Sequence, residues 1–220
     1  MKSGDVIKLV EIAAAWGAYF ALHSLLAADG AKTWVARHWP RLLPGYRAAF
    51  NLISLVALLP VLWLVYSGNG HWLWRWHGAL WWLVNGAALA ALLAFFASTR
   101  AYDMGEFLGL RQLGQSQRAN AEAFTLSTFH RYVRHPWYCF GLVLLWTRDM
   151  NGPLLVSALA ITLYLVIGSR LEERKLISQY GRRYRDYMSK VPGLVPLPWK
   201  HLTAAEAKAL ISSPDENSAG

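Results

Sequence analysis

Residues 132–176 read YVRHPWYCFGLVLLWTRDMNGPLLVSALAITLYLVIGSRLEERKL, and this stretch decides the architecture. Two apolar runs, Trp137 to Thr147 and Leu154 to Gly168, flank the polar turn Arg148-Asp149-Met150-Asn151-Gly152-Pro153. Charges stand outside the runs: Arg134 and His135 before the first, and Arg170, Glu172, Glu173, Arg174 and Lys175 after the second. The pattern predicts a helical hairpin whose two open ends meet at one membrane face. A span needs about 20 mostly apolar residues. The first arm is therefore either a full span starting near Tyr132 or a partly re-entrant arm. Ionisable groups paired at a membrane boundary and facing inward mark a candidate functional site.

Upstream, three longer runs read as spans: Val6 to Ala28, Ala48 to Tyr66 with Pro60 as a kink, and Gly78 to Ser98. Lys8 and Glu11 lie near an end of the first, where long side chains snorkel or pair. Trp72, Trp74, Trp76, Trp81 and Trp82 cluster at the entrance of the third, as an interfacial aromatic belt does. The composition agrees, with 55% hydrophobic residues, 16% charged and 12 Trp, against about 25% charged in soluble domains. The fold class is all-α integral membrane, with about five transmembrane helices. Cys139, the single cysteine, excludes an internal disulfide framework and a thiolate metal cage. Lys2 and Lys8 before the first run resemble a signal peptide, but no small-residue cleavage site follows, and the run reads as a retained span.

Net charge is +9. Most of it falls in three places: a first loop with Lys32, Arg37, Arg41 and Arg47; a third loop with Arg100, Arg111, Arg118, Arg131 and Arg134; and a tail from Arg170 to Lys208. Five passes put all three on one side, and the positive-inside rule makes that side cytoplasmic, with the N-terminus outside. That accounts for the basicity with no nucleic acid partner, and points to a bacterial inner (cytoplasmic) membrane. The tail continues as an amphipathic helix, with Leu176, Ile177, Tyr180, Tyr184, Tyr187, Met188 and Val191 at three- and four-residue steps. Gly181 breaks it, and Pro192, Pro196 and Pro198 end it. The chain divides into an N-terminal three-helix region with its cytoplasmic loop, 1–130, a hairpin and tail, 131–203, and a frayed C-terminus, 204–220.

Arg134-His135-Pro136-Trp137-Tyr138 with Gly141, then the hairpin, Leu171-Glu172-Glu173, Tyr180-Gly181, Tyr184, Tyr187 and Val191-Pro192 form a set: RHPxYxxG, LEExxL, YGxxYxxY and VPxxxP. Over about 65 residues it resembles the isoprenylcysteine carboxyl methyltransferase and phospholipid methyltransferase superfamily. Upstream, His23-Ser24-Leu25-Leu26-Ala27, the run from Tyr46 to Leu52, and Tyr102 to Gln112 are similar to its branch containing NnrU proteins and methanethiol S-methyltransferase. The resemblance implies S-adenosylmethionine as cofactor, held between the hairpin and the tail by His135, Tyr138, Glu172 and Glu173. Gly141 would allow close approach, and Tyr184 would cover the pocket. No metal is implied. The acceptor is a small or lipophilic molecule, a thiol such as methanethiol foremost. A prenylated cysteine carboxylate or a phospholipid amine is the alternative, with membrane lipid as the other partner.

The chemistry suits those residue types. Methyl transfer from a sulfonium is an in-line displacement, so alignment and exclusion of water supply the catalysis, worth about 7–11 kcal/mol. Carboxylates bind the cofactor's ammonium or ribose hydroxyls, Arg its carboxylate, and Tyr the sulfonium face. A thiol acceptor reacts as thiolate. Arg134 or Arg170 would favour that form.

Blander roles compete. His135 can cap the hairpin helix, the Glu pair can be a solvated face beside Arg174 and Lys175, and Arg134 and Arg170 can be positive-inside anchors. The tail tyrosines other than Tyr184 read as packing, Cys139 as buried filler, and His71, His77 and His130 as interfacial. His23 reads as a polar group satisfied by a neighbouring helix. Two other functions stay open: a haem carrier using His23 and His77, and a non-catalytic membrane scaffold.

Overall fold

A computed structural model describes residues 3–67, 70–100, 104–110 and 124–212. Of the sequence-level readings, Lys2, Tyr102, Arg111, Gln112, Arg118 and the frayed end beyond Ser212 lie outside those residues. The described chain is almost wholly helical: α1 (Ser3–Ala27), α2 (Asp29–His38), a 3-10 turn (Pro40–Gly45), α3 (Tyr46–Tyr66), β1 (Trp72–Trp74), α4 (Gly78–Thr99), α5 (Met104–Phe107), a second 3-10 turn (Thr128–Arg131), α6 (Pro136–Trp146), β2 (Met150–Asn151), α7 (Gly152–Lys190) and α8 (Ala204–Ser212). Four of these helices, α1, α3 with its preceding turn, α4 and α7, are long and apolar enough to cross a membrane. Their large side chains lie mostly on the surface, as Leu55, Leu59, Trp63, Leu89, Leu93, Leu163 and Ile167 do. A surface so apolar is stable only against lipid, and the protein is an integral membrane protein.

The chain forms two compact units. In the first, comprising Met1–Trp76, Tyr102–Asn120 and Asp149–Ile161, α1 packs on α3. Its core is Ile12, Trp16, Val61 and Val65, with Leu154, Val156, Ala160 and Ile161 of α7 against it. Trp16 Nε1 donates to Ser157 Oγ at 2.9 Å, and that hydroxyl donates to Pro153 O. β1 pairs antiparallel with β2, Trp72 opposite Asn151 and Trp74 opposite Met150. Asp149 accepts the Trp76 backbone N–H at 3.0 Å and pairs with Arg75. Trp72 and Trp74 thus belong to a strand that holds the α6–α7 connection, not solely to an aromatic belt. Gly109 has φ +82, and a Cβ there would stand 2.6 Å from the Ala48 nitrogen, so the turn after α5 closes on α3 only with glycine.

In the second unit, His77–Ala101, Ala121–Arg148 and Thr162–Gly220, α6 packs along α4. Trp137 Nε1 donates to the buried Ser98 hydroxyl at 2.7 Å. Beyond the apolar part of α7, Phe124, Tyr184, Tyr187, Val191, Leu202 and Ala207 form a second core. The expected second arm and tail helix are one element, α7, 39 residues long. Gly181, at φ 57 and ψ −128, breaks it. Only glycine adopts that conformation cheaply. α6 has 11 residues, about 16 Å of helix. That is half the ~30 Å hydrocarbon core, so α6 by itself is a half-span.

Candidate active site

α6 begins where Pro136 supplies a helical φ without a lost donor, and His135 is its N-cap. The arm runs antiparallel to α7 and stays in register. Trp146 Nε1 donates to Thr162 Oγ1 at 3.0 Å at one end, and His135 meets Glu173 at 3.0 Å at the other. The apolar part of α7 needs about 20 residues from Gly152 to cross the core. Glu172 and Glu173 therefore begin its polar extension, beside the His135 end of α6.

Four charged groups converge there. Arg134 Nε donates to Glu173 Oε1 at 2.7 Å, and His135 Nε2 lies 3.0 Å from the same oxygen. The side chains of Arg134, His135 and Glu173 are 12%, 5% and 11% exposed. Glu172 is different: its side chain is 49% exposed. One of its oxygens, Oε2, takes His135 Nδ1 at 3.4 Å and the Tyr138 hydroxyl at 3.3 Å. Its other oxygen has no hydrogen-bond partner among the described residues. The Tyr138 ring stacks on His135, with centroids 5.3 Å apart and planes 9° from parallel.

The electrostatics follow from these contacts. Burial alone would lower the His135 value, but hydrogen bonds with Glu172 and Glu173 and their charges raise it above an ordinary histidine. Burial would likewise raise Glu173, yet the hydrogen bonds from His135 and Arg134 hold its carboxyl below the usual range. His130, one turn upstream, is pulled down to about 4, first by burial and then by His135, against Glu172. Its Nδ1 sits 2.8 Å from Ser127 Oγ in a capping box, so it has a local structural role.

The remaining candidates divide. Tyr184 is buried beside Arg134 and Glu173, on the far side of the Gly181 break. Gly141 is exposed, and a Cβ there would meet nothing within 4 Å. Arg170 is exposed and takes no part in the contacts that bind the cluster. Arg134 is more heavily committed than its sequence context suggested. Its Nη1 donates to the carbonyls of Met188 and Val191, and its backbone N–H donates to Pro192 O at 2.9 Å. His135 N–H donates to Gly193 O at 3.1 Å. A Cβ on Gly193 would stand 3.4 Å from Arg134 Nη2. These backbone acceptors were invisible to side-chain reasoning. The sole trace was the Val191-Pro192 pair that ends the tail helix. His23 packs on Phe50 at 5.0 Å, and His77 is the N-cap of α4. Among the described residues no group of three His, Cys, Asp or Glu converges as metal ligands do.

The arrangement offers an open carboxylate backed by a buried imidazole, and an aromatic face beside it. Those groups suit a ligand that carries cations and hydroxyls. The chain is 33% identical over 184 residues to methanethiol S-methyltransferase 2 of Bradyrhizobium diazoefficiens, covering 79% of this chain and 68% of that protein. It is 32% identical over 200 residues to methanethiol S-methyltransferase of Mycobacterium tuberculosis, covering 84% and 77%. The corresponding protein of Crocosphaera subtropica is 30% identical, with 80% and 71% covered. No family profile and no solved structure matches the chain.

Proposed function

The chain belongs to the methanethiol S-methyltransferase family and is an integral-membrane methyltransferase, and on that premise we propose that it methylates methanethiol with S-adenosylmethionine at the His135–Glu172 site. The supporting observation is the contrast between the two adjacent carboxylates. Glu173 is spent on Arg134 and His135, whereas Glu172 keeps one oxygen open on a half-exposed side chain.

The site fits the donor's polar groups. Glu172 would take its ammonium or a ribose hydroxyl, and Tyr138 would present its ring to the sulfonium. The bound donor supplies an activated methyl, and no covalent enzyme intermediate is needed. This chain's residues bind, orient and exclude water. Arg134 and Glu173 hold His135, and His135 holds Glu172. Tyr184 closes the side toward the tail. Gly141 leaves room beside Tyr138. Arg170, exposed two residues before the Glu pair, would favour the acceptor thiolate. The segment 131–203 carries the site, 1–130 the other spans, and 204–220 the C-terminal end. The basic loops and tail face the cytoplasm of a bacterial inner membrane, with the N-terminus outside.

The test is transfer of labelled methyl from S-adenosylmethionine in membranes, with methanethiol, a phospholipid amine and a prenylcysteine compared side by side. Methanethiol is the expected acceptor. Glu172→Gln should lower donor affinity at least tenfold while Glu172→Asp retains part of it. Undiminished donor binding in both Glu172→Gln and His135→Ala would remove the site.

A further inference from the structure

The ten residues that follow the site strand out to a surface with an unusual make-up. Gly193 and Leu202 are pinned to the two ends of one short segment. His135 N–H donates to Gly193 O, while Leu202 N–H donates to Arg131 O at 2.9 Å and Arg131 Nε donates back to Leu202 O. Between these clasps the chain turns at Leu197–Lys200, closed by the Lys200 N–H on Leu197 O at 2.9 Å. At its tip Trp199 is 76% exposed and Val195 65%. Pro196, Pro198, Lys200 and His201 are exposed too. His201 stacks on Tyr132 at 5.8 Å, and Arg131 lies over the other side chain of that pair, 5.6 Å from the Tyr132 ring.

The depth of this turn follows from its clasp. On α7 the exposed apolar line Leu163, Ile167, Leu171 ends at Leu171, and exposed Arg174 and Lys175 follow. The hydrocarbon boundary therefore crosses α7 at Leu171–Arg174. Glu173 sits in that interval, and its carboxylate is within 4 Å of where a Gly193 Cβ would stand. The turn leaves from the same level. Trp and Tyr beside Arg and Lys are the side chains that settle at the headgroup layer. A clasped turn that exposes Val, Trp and two prolines gains nothing from water.

We infer that the Val195–His201 turn is seated in the headgroup layer of the bilayer, continuous with the lipid-facing side of α7, and that it clamps the Arg131–His135 segment to the membrane surface. The inference rests on the chain being membrane-embedded and is independent of which acceptor it methylates.

Depth-dependent quenching tests it. In a Cys139→Ser background, single cysteines replace Trp199, Leu163 and Ser178 in turn. Each carries the same environment-sensitive dye, in nanodiscs of phosphatidylcholine and phosphatidylglycerol. Lipids with a spin label high on the acyl chain should quench the dye at 199 several-fold more than the dye at 178. A label deep on the chain should quench 163 most. Quenching at 199 no greater than at 178 overturns the inference. Far-UV circular dichroism and gel filtration of each labelled protein report that the fold is intact, so a collapsed variant is recognised as such. Replacing the turn's anchor by Trp199→Tyr, which keeps an interfacial aromatic, should preserve donor affinity in nanodiscs. Trp199→Asp should weaken it there and leave it unchanged in detergent. Equal losses in both media would make the turn a packing element alone.

Discussion

Two of the places where helices are locked together use opposite chemistry. Between α1, α3 and the start of α7 the contact is apolar, with Ile12 and Trp16 at its centre and one neutral hydrogen bond from Trp16 to Ser157. At the α6–α7 end the contact is ionic, with Arg134, His135 and two carboxylates within hydrogen-bond reach. Apolar packing holds helices in lipid at small risk, since its loss strands no charge. A buried ion cluster is a costly way to join two helices. Its cost falls due when any member is removed.

The comparison breaks most visibly at Glu173. Glu173→Ala leaves buried Arg134 and His135 without their anion and should cost about 3–5 kcal/mol, with methyl transfer lost. Thermal unfolding in detergent and a labelled-methyl assay measure the two. Ile12→Ala in the apolar contact should cost about 2 kcal/mol, the low end for a core truncation, because the surface is lost to lipid and not to water. Donor affinity should not change, so a titration separates the two regions. Ser157→Ala deletes the hydroxyl of the neutral hydrogen bond with almost no change of core volume and should cost about 0.6 kcal/mol. Glu172→Gln is the smallest in stability, under about 1 kcal/mol on a half-exposed side chain, although it should have a large effect on donor binding.

Acid and base sharpen the same contrast. His135 has a raised folded value, so its contribution is complete below about 6.5 and is lost as pH rises through that raised value. Glu173 has a lowered value, so its contribution is present above about 4.3 and fades as pH falls through the depressed one. His130, lowered to about 4, favours the folded state above 6.5 and loses that contribution as pH falls toward 4. Urea unfolding across pH should therefore weaken on both sides, and His135→Asn should remove the alkaline loss while sparing Ile12-dependent stability.

The spans were legible because about 20 apolar residues in a row admit little else. The Gly181 break was legible for a different reason, as a helix-breaking residue inside a periodic run. The meeting of His135 with the Glu pair was legible because a hairpin has one closed end and one open end. The β1–β2 pairing was not, since three residues of Trp-Leu-Trp carry no strand signal apart from their partner. Nor were the commitments of Arg134, because its acceptors at Met188, Val191 and Pro192 are carbonyls that every residue type possesses. The sequence shows two neighbouring glutamates as equals. Their division into a buried and an open one depends on which face of α7 meets α6.

The bend at Gly181 has a consequence for biosynthesis. Without it, α7 would run on for about 58 Å, the Tyr187 hydroxyl would lose the His130 carbonyl it donates to, and the Met188 and Val191 carbonyls would lie away from the Arg134 guanidinium. Arg134 and His135 meet their backbone acceptors at residues 188–193 only after the apolar part of α7 has been made, so the ion cluster is completed late in synthesis.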